Sequence, residues 1–184
     1  MPQVVCPTLQ HCLKENDCLE NLAGLGNVAY CFLKSDLSAP LTRTGTKYST
    51  PAFKSGKGLY KFELQDQMQG IVGESLKKRQ GFKQTFEGAF EAVNEIISKT
   101  ARALNNLDVC FIVPDNEKFQ IMYDPYHDVK FEDGGIKTDT GKASSDERQT
   151  TFSATLEPVM YPNLWVDAPS GGWESLLAED SSSE

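Results

Sequence analysis

The pattern that most restricts the fold of this chain is a series of short strand-like segments interrupted by one amphipathic helix. Two of the segments are continuous apolar runs rich in β-branched and aromatic residues, which is typical of buried strands. Others alternate apolar and polar residues, as antiparallel strands with one buried face do. The predicted strands are Val28–Leu33, Leu59–Leu64, Gly81–Glu87, Leu107–Val113, Lys118–Tyr123 and Thr150–Leu156.

The single helix is predicted from about residue 89 to residue 105. Phe90, Val93, Ile97 and Leu104 fall on one stripe of that segment, and polar residues fall on the opposite face. At about 1.5 Å per residue this helix would span roughly 25 Å, which is long enough to cover one face of a small sheet.

Two segments carry no strand or helix pattern. Residues 38–58 are rich in Ser, Thr, Pro, Gly and Lys and are predicted to form a long loop or arm, and residues 124–139 are predicted to form a second loop. Pro158 is expected to close the last strand. The length of 184 residues fits one domain, which we divide into an N-terminal extension (1–23), a body (24–168) and an acidic tail (169–184).

The charge of this chain is distributed unevenly along its length. Residues 146–184 contain eight acidic residues and one base, Arg148, and so carry almost all of the net charge of −8. Residues 37–62 contain five basic residues and no acid. The two regions are either two solvated surfaces or complementary patches that set the register between copies or neighbours.

The acidic tail contains one apolar peptide. Trp173, Leu176 and Leu177 have the i, i+3, i+4 spacing of one helical face. Such a short acidic and apolar segment is a candidate for docking into a groove on a partner.

Few residues in this sequence predict chemistry. The chain has two histidines, His11 and His127, and neither sequence neighbourhood suggests a catalytic site of the Ser/His/Asp, Cys/His or paired-carboxylate type. Two groups of residues could hold a metal ion, although their spacing favours ordinary reduced cysteines and a turn; they are Cys6, His11, Cys12 and Cys18, and Asp124, His127 and Asp128. We therefore expect no enzyme, no catalytic residue, no metal and no cofactor.

The sequence also predicts no membrane association. No apolar run approaches the roughly 20 residues that a membrane-spanning helix needs. The first residues lack the basic and apolar regions of a signal peptide, which predicts an intracellular site of synthesis.

The order and spacing of these elements resemble the tail tube proteins of tailed bacteriophages and the related ring proteins of phage necks and tails, particularly those of phages of gut Bacteroidetes. The resemblance covers roughly residues 22–37 and 58–167. It rests on the segments Leu22–Tyr30, Lys34–Leu37, Leu59–Leu64, Phe82–Phe86, the helix 89–105, Asp108–Val113, Thr140–Asp146, Thr150–Leu156 and Glu157-Pro158. The N-terminal extension, the basic arm and the acidic tail lie outside the family pattern.

The resemblance implies an α+β fold, with an antiparallel β-sandwich or small barrel and one flanking helix. It also implies copies joined edge to edge into a hexameric or dodecameric ring, in contact with neighbouring virion proteins, through which DNA passes without specific binding. The implied location is the virion tail or neck, after synthesis in the cytoplasm of the host bacterium.

Two functional hypotheses follow. The first is a virion ring or tube protein, in which removal of residues 39–57 would leave a folded monomer unable to assemble. The alternative is a monomeric adaptor or assembly factor that docks on a partner through the Trp173/Leu176/Leu177 peptide. The candidate inter-subunit contacts are Arg43, Lys47, Tyr48, Phe53, Lys54, Lys57, Trp173, Leu176 and Leu177.

Overall fold

The structure is a computed structural model, which describes residues 26–66, 68–116, 118–141 and 148–178. The strands in chain order are β1 (Val28–Leu33), β2 (Arg43–Thr44), β3 (Lys47–Tyr48), β4 (Tyr60–Glu63), β5 (Gly70–Ser75), β6 (Phe82–Phe90), β7 (Val109–Asp115), β8 (Lys118–Met122), β9 (Ile136–Asp139), β10 (Gln149–Val159) and β11 (Trp165–Val166). One α-helix, α1 (Glu95–Asn106), joins β6 to β7, and short 3-10 helices cover Lys34–Asp36 and Trp173–Leu176.

The described strands form two open sheets. The large sheet has the order β2-β3-β11-β8-β7-β1-β4, and the small sheet has the order β5-β6-β10-β9. Neighbouring strands are antiparallel except for β3 and β11, which are parallel. The α+β prediction is confirmed, and of its two versions the sheets fit a sandwich and not a closed barrel.

An aromatic cluster joins the two sheets. Phe111 of β7 in the large sheet packs against Phe86 of β6 and Phe152 of β10 in the small sheet, with ring centroids 5.3 and 6.0 Å apart. Phe90 and Phe62 extend the cluster toward the edge of the large sheet. Because side chains on the inner faces interdigitate in this way, the core lies between the sheets.

The prediction that the helix begins near residue 89 is wrong. Phe90 still belongs to β6, where it pairs with Thr150 of β10. Asn94 caps the helix, since its side-chain oxygen accepts a hydrogen bond of 2.8 Å from the backbone N–H of Ile97. The apolar stripe therefore combined strand residues with helix residues, and within α1 only Leu104 is fully buried.

The prediction of structureless loops at 38–58 and 124–139 is also wrong in part. The arm contributes β2 and β3, which continue the large sheet beyond β11. The second loop ends in β9, which pairs with the first residues of β10. Pro158 does not end β10 at Leu156, because the strand continues through a register shift to Val159, and a bulge is a place where a strand tolerates proline.

Candidate functional site

The C-terminal segment Trp173–Ala178, which we name the clasp, lies against the large sheet, in contact with β8, β1 and the residue before β4. Its anchor is Trp173, which is 4% exposed. The indole packs edge-to-face on Phe119 of β8, with centroids 5.4 Å apart, and lies 6.1 Å from the ring of Tyr30 of β1. The peptide that the sequence singled out therefore docks on its own chain.

Main-chain hydrogen bonds hold the clasp beside the start of β4. The N–H of Leu59 donates to the carbonyl of Leu176 at 2.8 Å, and the N–H of Ala178 donates to the carbonyl of Leu59 at 2.9 Å. Leu59 and Leu177 thus form a parallel bridge, and the clasp extends the edge of the large sheet in the manner of an added strand.

Gly58 is required for this close approach. A Cβ atom at this position would lie 2.4 Å from the carbonyl oxygen of Leu176 and 2.6 Å from the nitrogen of Ala178. These are backbone atoms of the clasp itself, so they could move aside only by breaking the bridge to Leu59. We name Tyr30, Gly58, Leu59 and Phe119 the clasp seat.

Charged and polar groups border the clasp seat. The ammonium group of Lys61 lies 3.2 Å from Glu174 Oε1, and the hydroxyl of Tyr30 donates to the same oxygen at 3.3 Å. Burial, and next the Glu174 carboxylate, raise the pKa of Tyr30. The Lys61–Glu174 pair is solvent-exposed, so it orients the clasp more than it stabilises it.

Beside the clasp, an open groove of about 630 Å³ runs along the outer edge of β4, between that strand and α1. We name it the edge groove. Phe62 and Phe90 lie along it, and Leu177 of the clasp borders it. Its rim carries two large apolar side chains that are exposed: Tyr60 at 44% and Ile96 at 74%.

Six of the candidate contact residues lie in the arm. Two of them, Tyr48 and Phe53, pack mainly on other residues of the same chain. Tyr48 is buried and packs edge-to-face on Tyr123, with centroids 5.2 Å apart. Phe53 packs in the same manner on Phe32, at 5.7 Å. Tyr48 is therefore not presented to a neighbouring molecule, whereas Phe53 is only partly buried.

The four basic candidates of the arm each contact groups of their own chain. Lys47 forms an ion pair of 2.9 Å with Asp167, and Lys57 lies 4.0 Å from Asp36. Lys54 donates to the carbonyl of Ser35, and the guanidinium of Arg43 lies over the ring of Tyr161. The side chains of Lys47 and Lys57 nevertheless remain about half exposed, so they are available to a neighbour as well.

The loop considered as a metal site has other hydrogen-bond partners. Asp124 Oδ1 lies 2.9 Å from Nδ1 of His127 and also accepts the backbone N–H groups of Tyr126 and His127. Asp128 forms an ion pair of 2.7 Å with Lys34. Within the described residues no three His, Cys, Asp or Glu side chains gather around one point. The residues Cys6, His11, Cys12 and Cys18 lie outside the described ranges.

Two cysteines lie in the core as free thiols. Cys31 of β1 and Cys110 of β7 are buried on neighbouring strands, and burial raises the pKa of both thiols. Thiols that stay protonated in this way are poor nucleophiles. Within the described residues no helix is long and apolar enough to cross a bilayer.

Comparisons with protein-family models, with curated proteins and with solved structures give no match. The function has to be inferred from the residues of the chain itself. Sequence patterns had singled out the clasp but missed Gly58, Tyr30 and Phe119, which lie more than 50 residues before it in the chain.

Replacement of Tyr48 by Phe should reduce the alkaline sensitivity of the fold. Burial, with a smaller contribution from Asp124, raises the pKa of Tyr48 to about 12. The neutral phenol thus stabilises the folded state fully below about pH 10, the pKa in the unfolded chain, and this contribution of about 2–3 kcal/mol is lost as the pH rises through 12. Equilibrium denaturation between about pH 8 and pH 11.5 should show a shallower decline for Tyr48→Phe.

Other buried groups also contribute to the alkaline sensitivity, and they decide which control is suitable. Burial also raises the pKa of Tyr123 and of the core thiols, so part of the decline should persist in the variant. Tyr123→Phe is not an equivalent control, because the hydroxyl of Tyr123 accepts a hydrogen bond from the N–H of Leu41. Tyr126→Phe, at an exposed tyrosine, is the matched control. Identical slopes for Tyr48→Phe and the parent chain would contradict the prediction.

Proposed function

We propose that this chain is a virion structural protein, which assembles with copies of itself into a ring or tube segment of a phage tail or neck that conducts DNA. The observation that carries the proposal is the edge groove, where an open edge of the large sheet is flanked by exposed apolar side chains. A sheet edge of this kind is a template for pairing with another chain. A second copy is the occupant that the sequence resemblance implies.

A closed ring needs two different surfaces on each copy, because its contacts are head-to-tail. The edge of the small sheet supplies a second exposed apolar region, since Val72 of β5 and Met68 just before it are exposed. We propose that the edge groove of one copy faces this region of the next copy. The hexameric or dodecameric closure of such a ring is what the sequence resemblance implies.

The charge of the chain supports a role in conducting DNA. The net charge is −8, and Lys47 and Lys57 of the arm are paired with carboxylates of their own chain. A neutral or acidic wall lets a polyanion slide past, whereas a basic one would hold it through phosphate contacts. Neighbouring tail or neck proteins are the further partners that this role requires.

The alternative of a monomeric adaptor makes a different demand on the clasp. Because Trp173 is buried against Tyr30 and Phe119, the peptide would have to leave its own chain before docking on another protein. An adaptor would also remain monomeric at high concentration. The oligomeric state therefore separates the two functions.

Replacement of Ile96 by Glu should raise the protein concentration needed for assembly at least about tenfold. The side chain is exposed in the monomer, so the fold should tolerate the change, but an unpaired carboxylate enclosed in an apolar interface is costly. Light scattering across a concentration series, followed by negative-stain imaging, would measure the assembly of the parent chain and of the variant.

The matched control is Tyr126→Glu, which also places a charge at an exposed apolar position but does not line the edge groove. Rings or tubes formed by the parent and the control, and lost in Ile96→Glu, would support the proposal. Equal assembly of all three would exclude the edge groove as the contact. A parent chain that stays monomeric at every concentration would favour the adaptor.

A further inference from the structure

A short linker, residues 168–172, connects the clasp to the rest of its own chain. Asp167, just after β11, is fixed by Lys47 and by the hydroxyl of Thr50. From there, Ala168–Gly172 lead to the clasp through a turn in which the N–H of Gly172 donates to the carbonyl of Pro169. Five residues span up to about 17 Å when extended, so opening this turn would carry the clasp well away from its present position.

The clasp and its seat interact as a peptide and a receptor surface. The clasp supplies Trp173 as an anchor and a short run of backbone, and the seat supplies two aromatic rings and the N–H and C=O of Leu59. None of these contacts depends on the clasp and seat belonging to one chain. A clasp from another copy would make the same contacts, so exchange itself would lose none of them.

One feature of the bound clasp weakens its binding to the clasp seat. The indole N–H of Trp173 is buried and has no hydrogen-bond acceptor among the described residues. A buried donor without a partner costs about 1–3 kcal/mol relative to its hydrated state. The clasp is therefore bound less tightly than its apolar contacts alone would suggest, which makes its release feasible.

We propose that in an assembly the clasp of one copy docks in the clasp seat of a neighbouring copy and so links adjacent subunits. This inference rests on the proposed function, because it needs neighbours held side by side. In free monomers the short linker gives the clasp's own seat an effective concentration in the millimolar range, which favours docking within the chain. Within an array a neighbouring seat is also held close to the clasp, so the preference for the clasp's own seat becomes smaller. Exchange then adds a connection between subunits.

The test uses two full-length variants with complementary defects. Gly58→Ala blocks the seat, since its methyl group would overlap backbone atoms of any docked clasp, but this chain keeps an intact clasp. Trp173→Ala removes the anchor of the clasp but keeps an intact seat. We expect each variant alone to stay monomeric at low micromolar concentration, on the order of 1–10 μM, and an equimolar mixture to form a complex of one copy of each.

Native mass spectrometry would measure the complex, and circular dichroism would confirm that each variant is folded. A chain with both substitutions, mixed with Gly58→Ala, should form no complex, because no free seat remains. Gly70→Ala is the matched control for the glycine change, since a Cβ there would meet no atom within 4 Å. We expect the mixed complex to dissociate at a concentration at least about tenfold lower than any complex of either variant alone.

A second pair of variants serves if either substitution prevents folding. Lys61→Glu and Glu174→Lys alter an exposed ion pair, and Glu174→Lys also removes the acceptor of the Tyr30 hydroxyl. Both changes lie at the surface, so both chains should fold. Each variant alone places like charges together between clasp and seat, whereas exchange between the two restores opposite charges at both seats. A few-fold preference for the mixed complex over the separate ones is expected, and it should fade in high salt.

The outcomes separate this inference from the proposed function. If the two variants form a mixed complex but the parent chain forms no rings or tubes, the result would support the exchange and count against the virion role. Rings that form unchanged from Trp173→Ala chains would support the virion role and overturn the exchange. Folded variants that give no mixed complex in either pair would also overturn the exchange.

Discussion

Replacement of Phe111 by Ala should lower the free energy of unfolding by about 3–5 kcal/mol, the range for removal of a large aromatic side chain from a core. Phe111 is fully buried in β7, a central strand of the large sheet between β8 and β1. Its ring lies within 6.5 Å of the rings of Phe62, Phe86, Phe131 and Phe152. Truncation would therefore leave a cavity at the place where the two sheets meet. Equilibrium denaturation by urea would measure the loss.

The control for this experiment is Tyr126→Ala, which truncates an aromatic side chain that is 86% exposed. Substitutions at such positions usually change stability by less than about 0.5 kcal/mol. If Phe111→Ala yields no folded protein, Phe111→Leu should give a measurable and smaller loss because it retains more of the volume. A loss below about 1 kcal/mol for Phe111→Ala would contradict the packing of the sheets through this cluster.

The central strands could be predicted from the sequence because their environment is uniform. β1 and β7 are covered on both faces, so they appear as continuous apolar runs, and each was predicted within two residues of its bounds. β4 and β6 have one face toward the core, and their alternation predicted them too. In each case the pattern of apolar residues along the strand follows the burial of its two faces.

The edge strands of the small sheet, β5 and β9, could not be predicted in this way. β5 contains Gly70 and Gly73, and β9 has the polar sequence Ile-Lys-Thr-Asp. Neither composition favours a strand. The two segments are extended because β6 and β10 offer open edges on which they pair, and this information lies in distant parts of the chain. The start of the helix was misplaced for the same reason, since pairing of β6 with β10 holds Phe90 in a strand.

The candidate site shows a similar limit. The spacing of Trp173, Leu176 and Leu177 identified the clasp as a docking peptide, but it gave no information about the surface that receives it. Tyr30 and Glu174, joined by a hydrogen bond, are 144 positions apart in the chain. The role of Gly58 depends on the approach of backbone from another segment. Gly58 is one of three glycines in the arm, and the sequence alone does not distinguish it from the other two.

The uneven charge distribution has an explanation within one chain. Lys47 of the arm contacts Asp167 next to β11, and Lys61 of β4 contacts Glu174 in the clasp at the opposite edge of the large sheet, so basic and acidic regions meet at two separate places. Complementary charge mainly sets register. Here the pairs fix where the C-terminal segment crosses the sheet, and the Lys61–Glu174 pair would also guide a clasp from a neighbouring copy into its seat.

Deletion of residues 39–57 should prevent folding, whereas the sequence alone predicted a folded monomer. The deletion removes Leu41 and Tyr48, which are both buried, together with β2 and β3. It would expose β11 as a new sheet edge and uncover Tyr123, on which Tyr48 packs and whose hydroxyl accepts the N–H of Leu41. The loss of two large buried side chains costs about 2–5 kcal/mol each, which together approaches the total stability of a typical domain, about 5–15 kcal/mol.

Circular dichroism and thermal unfolding would measure this outcome, which we expect to be the absence of a cooperative transition. The control keeps the arm and removes two of its four positive charges through Lys54→Gln and Lys57→Gln. This variant should fold because both residues are exposed. If the deletion variant unfolds cooperatively near the parent temperature, the arm is an appendage, and its buried residues contribute little to the core. If instead the charge variant folds but assembles less well than the parent, the arm serves both the fold and the contacts between subunits, because its apolar residues face inward and its lysines outward.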